Sequence, residues 1–307
     1  MRKWLVAIAM VVILVAVPTS GLAASGTVIY DSTVSPLPGN LPSVGAEAYA
    51  FSEFGDEVSF ATDSRTLKQV TVTLSSWGCE AGHWFSADCE TSPGATFSIP
   101  ITFNIYQVGP NDTVGAPIAT QTQTFEVPYR PSTDSINCTG GKWYDNASGQ
   151  CYNGLATNIS FDFSSLDVQL PDTVIYGISY NTSHYGPAPI GEATSCYSSS
   201  AGCPYDSLNV ALSPQVVVGS KPHPDTLFQN SSYGSEYCDG GTAGTGAFRL
   251  DSPTSACWTG YVPAVQFVAT GPAPASKDQC KNGGWQQFDN PHFKNQGDCI
   301  QFVNTGK

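Results

Sequence analysis

Ten cysteines, at positions 79, 89, 138, 151, 196, 203, 238, 257, 280 and 299, constrain this chain more than any other feature. An even number of thiols in a chain that opens on an export segment points to disulfides, because oxidised cysteines persist outside the reducing cytosol. On the order of a thousand connectivities are open to ten cysteines, and the sequence does not choose among them. Proximity suggests Cys79 with Cys89, Cys138 with Cys151, Cys196 with Cys203, Cys238 with Cys257, and Cys280 with Cys299. Each link closes a short loop rich in Gly, Ser, Asn and Asp, where a crosslink contributes roughly 2 to 3 kcal/mol by restricting the unfolded chain. Zinc is the competing use of cysteine, but no Cys-x-x-Cys occurs and no two histidines stand at ligand spacing.

The export segment is Met1-Arg2-Lys3, an apolar run from Leu5 to Val17, and then Pro18-Thr19-Ser20-Gly21-Leu22-Ala23-Ala24. This charged, hydrophobic, small-residue order is that of a secretory signal peptide, here residues 1–24, with cleavage after Ala23 or Ala24. Its apolar run is short for the roughly 20 residues that a bilayer span requires, and no later segment approaches that length, so no membrane span is expected after cleavage. Leu170-Pro171-Asp172-Thr173 has the order of a wall-sorting signal, but Val174 replaces the needed glycine. We read it as a turn entering a strand. The chain carries 12 basic and 25 acidic residues, a formal charge of −13, and losing Arg2 and Lys3 takes −13 to −15. So few scattered cations form no basic stripe, which argues against nucleic acid as a partner.

Between the loops the apolar residues recur mostly with a period of two and favour β-branched and aromatic types. Strands are expected at Thr27 to Tyr30, Glu57 to Ala61, Leu67 to Ser75, Phe97 to Val108 and Ala119 to Val127. Further ones follow at Asn158 to Phe163, Thr173 to Asn181, Leu208 to Leu212, Ala247 to Leu250 and Val262 to Ala269. No stretch after the export segment keeps a helical apolar stripe for three turns. The fold class expected is therefore all-β, an antiparallel β-sandwich of jelly-roll type over residues 25–270 with long stapled loops. Residues 271–276, rich in Pro and Ala, read as a short linker. Beyond it, 277–307 is expected to form a small module around Cys280 and Cys299. Residues 276–307 hold four Lys and three Asp against six basic and 22 acidic residues in 25–275, so the tail is a separate electrostatic unit.

Two stretches carry a resemblance. Lys277-Asp278-Gln279-Cys280-Lys281-Asn282-Gly283-Gly284-Trp285, with Phe288 and Phe293-Lys294-Asn295-Gln296-Gly297-Asp298-Cys299, resembles a C-terminal module of unknown function on exported proteins of high-GC Gram-positive bacteria. Glu53-Phe54-Gly55-Asp56-Glu57, Ser76-Trp77-Gly78-Cys79 and Leu170-Pro171-Asp172-Thr173-Val174-Ile175-Tyr176-Gly177 make the body similar to a family of uncharacterised secreted bacterial proteins. The resemblance implies export and a jelly-roll body, and it brings no catalytic residues.

The common catalytic signatures are missing. There is no Gly-x-Ser-x-Gly elbow and no His-Glu-x-x-His, and the four histidines, 83, 184, 223 and 292, stand far apart and read as loop residues. The run Gly240 to Gly246 lacks the Lys-Ser or Lys-Thr of a phosphate cradle and reads as a flexible loop. Glu53, Asp56 and Glu57 form the densest acidic group, read as a solvated turn before a strand. They are also the residues from which a glycosidase pair or a structural Ca²⁺ site would be built, although no EF-hand spacing supports the latter.

Aromatic residues give the more suggestive pattern. Trp77, Trp84, Phe85, Trp143, Tyr144, Tyr152, Tyr185, Tyr197, Tyr205, Tyr233, Tyr237 and Trp258 lie in or beside the stapled loops. Rigidly held rings make platforms that stack on sugar faces, and Trp77, Trp84, Trp143 and Tyr144 are the binding candidates. The same rings could instead cover the disulfides and seal the ends of the sandwich. The function expected is that of a secreted, non-catalytic, extracellular or cell-wall-associated protein that binds polysaccharide or wall material, with no cofactor and no metal. A glycan-active enzyme and a self-associating surface protein are the alternatives.

Overall fold

The computed structural model describes residues 26–46, 48–82, 84, 87–180, 208–252, 256–271, 273–288 and 291–306. Residues 1–24, expected to be an export segment, and the expected Cys196–Cys203 loop fall outside the described residues. The strands are β1 (Thr27–Asp31), β2 (Ser43–Gly45), β3 (Glu53–Ser59), β4 (Thr66–Ser76), β5 (Thr96–Val108), β6 (Val114–Pro128), β7 (Trp143–Asp145) and β8 (Gln150–Tyr152). They continue as β9 (Leu155–Asp162), β10 (Thr173–Tyr180), β11 (Leu208–Ser213), β12 (Phe228–Gln229), β13 (Arg249–Leu250), β14 (Val262–Pro263) and β15 (Val265–Thr270), and a helix α1 (Gln296–Thr305) closes the chain. The protein is all-β and antiparallel, with disulfide-linked loops.

Two sheets form the body. In the first, β4 is central, with β9 along one edge and β15 followed by β11 along the other, and with β1, β2 and β14 outside these. The second runs β13-β12-β3-β10-β5-β6. Strict alternation builds the wall they share: Phe97, Ile99, Ile101, Phe103 and Ile105 of β5 are buried, while Thr96, Ser98 and Pro100 between them are exposed. Phe103 lies parallel to Tyr176 of β10 at 5.4 Å and meets Phe267 of β15 edge-on at 5.7 Å, so the two sheets interlock through rings. Each fully buried ring contributes about 2 to 3 kcal/mol. Where β6 nears β9 the sheets also touch at their edges, through Phe125 against Phe161 and the Asp162 amide donating to Gln123.

The chain differs from its expected elements in two places that matter. The acidic stretch expected to be a solvated turn is itself strand: β3 starts at Glu53, and the strand expected at Glu57 to Ala61 is its continuation. Pairing decides this, because Glu53 through Ser59 align with Ser179 through Thr173 of β10. Residues 296–305 form a helix of under three turns, too short for the apolar stripe that a sequence scan requires. The Asn295 side chain accepts from the Asp298 amide at its start, and Gly306 ends it in a left-handed conformation. No helix among the described residues is long and apolar enough to cross a membrane.

Among the described residues four disulfides join Cys79 to Cys89, Cys138 to Cys151, Cys238 to Cys257 and Cys280 to Cys299, each pair consecutive among the cysteines. Three of them staple loops of the body, and the fourth lies in the core of the tail.

Candidate functional site

Trp77 and Trp84 lie beside a buried cation, Trp143 reaches the Gly154 carbonyl next to Trp77, and Tyr144 follows Trp143 on β7. Arg130 is fully enclosed and donates to the carbonyls of Pro131, Gly141 and Trp84, so it ties three segments together, and burial pulls its guanidinium down to about 10. Trp77 and Trp84 meet at 4.8 Å with their planes 79° apart, and Trp77 donates to the Ser75 hydroxyl. Trp143 is buried, donates to the Gly154 carbonyl, and leans on Tyr152 at 43°. Tyr144 is half-buried. Trp77, Trp84 and Tyr144 are part-exposed, while Trp143 is buried, and the two ring pairs are edge-on and tilted rather than coplanar. Phe85, Tyr185, Tyr197 and Tyr205 fall outside the described residues.

A cleft opens instead between the edge of the first sheet, at β2 and β11, and the segments around Cys238 and Cys257. It has a volume of about 440 Å³, and Tyr49, Tyr237, Trp258 and Tyr261 wall it, with Ser43 and Glu236 as polar neighbours. The far wall is firmly held. Cys238–Cys257 joins its two segments. The buried Asp251 carboxylate accepts from both the Cys238 amide and the Trp258 indole, and burial pushes that carboxyl up against the pull of these bonds. Arg249 lies over the Tyr237 ring at 3.9 Å and donates to Asp239 and to the carbonyls of Gly244, Leu250 and Asp251. The glycine run expected to be a flexible loop is thus pinned from one side. Tyr261, 43% exposed, presents its ring at the rim.

The acidic stretch is distributed over the two faces of β3 by the period of two. Phe54, Asp56 and Val58 point into the core, so Asp56 is a carboxylate with no exposure among aromatic side chains. Lys221 reaches it at 2.8 Å, because Ser220 pairs with Ser59 across two backbone hydrogen bonds and delivers the next side chain inward. Burial still pushes the Asp56 carboxyl up to about 6, the cation offsetting part of the shift. Lys221 also donates to the Tyr261 carbonyl, so this ion pair backs the cleft.

Glu53 and Glu57 lie on the opposite face. The Glu53 side chain crosses Gly177 of β10, where a Cβ would fall 2.1 Å from its Oε1, and accepts from Asn104 and Tyr106 at 2.9 Å each. Burial pushes the Glu53 carboxyl up, while these two bonds pull it down. Glu57 is buried and faces His223, whose Nε2 lies 3.3 Å from Glu57 Oε2 and 3.5 Å from Asp112 Oδ2. Desolvation pushes the Glu57 carboxyl up against the attraction of His223. Asp112 sits in the turn between β5 and β6, where Asn111 and Asp112 both take left-handed backbone that Asn and Asp tolerate. Because Asp56 and Glu57 project from opposite faces, these two cannot act on one substrate.

Lys221, His223 and Asp112 escaped sequence reasoning, since each reaches Asp56 or Glu57 from a remote loop. The hairpin turn Pro110-Asn111-Asp112 was a readable signal, whereas nothing local marks the Pro222-His223-Pro224 loop. No family model matches the chain, and neither a curated protein nor a solved structure matches it.

Proposed function

We propose that this is an exported, non-catalytic binding protein whose aromatic cleft receives a sugar unit of an extracellular or cell-envelope polysaccharide. The observation that carries the reading is one braced cleft that brings the part-exposed rings of Tyr49 and Tyr261 together with Ser43 and Glu236, over the buried rings of Tyr237 and Trp258. Its volume falls within the range of small-ligand sites, about 300 to 1,000 Å³. Ring faces stack on the apolar faces of sugars, while a carboxylate and a hydroxyl satisfy sugar hydroxyls that would otherwise be desolvated without partners. A cleft already fixed by a disulfide and an arginine has little order left to lose on binding. Four disulfides support a location in an oxidising, extracellular compartment.

The test is retention of tag-free protein on insoluble cellulose, chitin and peptidoglycan, with Tyr261→Ala as the informative variant because its ring is at the rim. At least one polymer should retain the protein. The variant should bind it about five- to tenfold more weakly, a loss of roughly 1 to 1.4 kcal/mol of ring contact. Retention on none of the three, or equal retention of the variant, overturns the proposal.

A further inference from the structure

Outside the cleft, one cluster combines a buried carboxylate, an imidazole and a second carboxylate from three separate segments. Glu57 belongs to β3, Asp112 to the turn after β5, and His223 to the loop that precedes β12. One atom from each side chain lies within 4.8 Å of the other two. We propose that Glu57, Asp112 and His223 bind a divalent transition-metal ion of the zinc type, with one coordination position left facing solvent.

The distances carry this assignment. Zinc binds imidazole nitrogen and carboxylate oxygen at about 2.0 to 2.2 Å in a tetrahedron, which separates neighbouring donor atoms by about 3.3 to 3.5 Å. His223 Nε2 lies 3.3 Å from Glu57 Oε2 and 3.5 Å from Asp112 Oδ2, two edges of such a tetrahedron. A second observation concerns solvation. Glu57 Oε2 and His223 Nε2 are both shielded from solvent and face one another as an ion pair, without a well-aligned hydrogen bond. A cation held between them satisfies lone pairs that such a contact leaves poorly used.

Charge agrees with geometry. Lys221 is committed to Asp56, so the neighbouring positive charge is already balanced. Glu57 and Asp112 then present two negative charges to a dication, and a neutral imidazole supplies the third lone pair. Calcium fits poorly, because it takes six to eight oxygen ligands at longer distances and here meets one nitrogen and two carboxylates. Asp112 is the outer wall of the cluster, with its side chain 46% exposed, so the fourth position opens on its side. The wide separation of the histidines in the sequence had argued against a metal; a single histidine brought in by a remote loop removes that objection.

The experiment is calorimetric titration of Zn²⁺ into chelator-treated, tag-free protein, repeated with Asp112→Asn, His223→Ala and His292→Ala. Circular dichroism confirms that each variant keeps the fold. One Zn²⁺ per chain is expected, unaffected by excess Ca²⁺. Removing a ligand should weaken binding roughly 100-fold or more, beyond the loss typical of a supporting residue, while His292→Ala, in the tail, should leave binding unchanged. Absence of stoichiometric binding shows the cluster to be an ion triad closed on itself and overturns the proposal. Binding that survives in both folded ligand variants, or that is lost in His292→Ala, overturns it equally.

Discussion

Glu53 shows how one side chain can be half-buried, hydrogen-bonded and still uneasy as an anion. Asn104 and Tyr106 both donate to its Oε1, yet desolvation dominates and holds the carboxyl above its usual range. A carboxyl raised on folding binds its proton more tightly in the native state, so its contribution to stability is complete below the ordinary carboxyl pKa and is lost as pH rises through the raised value. Glu53→Gln keeps an amide oxygen for Asn104 and Tyr106 and removes the titration. Urea unfolding at about pH 4 and about pH 7 should therefore show the parent chain losing stability relative to the variant as pH rises. A parent-variant difference that stays flat between the two would show that burial does not govern this group.

At the scale of elements, the loop from Tyr237 to Asp251 is held less by strand pairing than by one guanidinium. β12 and β13 pair over two residues only, whereas Arg249 reaches Asp239, Gly244, Leu250 and Asp251 and covers the Tyr237 ring. Lysine cannot reproduce a planar fork of five donors. Arg249→Lys should cost about 2 kcal/mol in chemical denaturation and speed hydrogen exchange at Gly241 through Gly246; unchanged exchange there would show that the disulfide alone holds the loop. Local patterning made other elements legible. Val70-Thr71-Val72-Thr73-Leu74 and Ile159-Ser160-Phe161 alternate plainly, and the structure pairs them as neighbours in β4 and β9. The strand expected to follow Leu170-Pro171-Asp172 begins at Thr173. β3 was hidden because three acids in five residues resemble a turn, and the partner that permits Asp56 to be buried comes from a distant loop. The cleft was half-legible: Tyr237 and Trp258 stood out beside cysteines, but Tyr49 and Tyr261 reach it through tertiary packing that no local pattern encodes.

Among the described residues, beside a small group of Leu41, Ala211 and Ala264, two hydrophobic cores of very different size stand apart. One fills the space between the sheets. The other is built around Cys280, Phe288, Phe293 and Cys299, with Trp285, Ile300, Phe302 and Val303 packed against it. A unit of about 30 residues buries too little apolar surface to stand without a covalent staple. The Cys280–Cys299 link, at a sequence separation of 19, contributes about 3 kcal/mol by restricting the unfolded chain. Its charge balance differs as well, since four lysines face three aspartates here while the body is strongly acidic. The slightly basic tail is thus the part that an anionic polymer repels least. If the two cores are energetically separate, Cys280→Ser with Cys299→Ser should melt the tail and spare the body. Hydrogen exchange in the double variant should show α1 unprotected while β4, β5 and β10 keep their protection, and calorimetry should place the main transition where the parent has it. A main transition lowered by several degrees would mean that the tail core braces the sandwich, and the division of the chain near residues 271–276 would have to be abandoned.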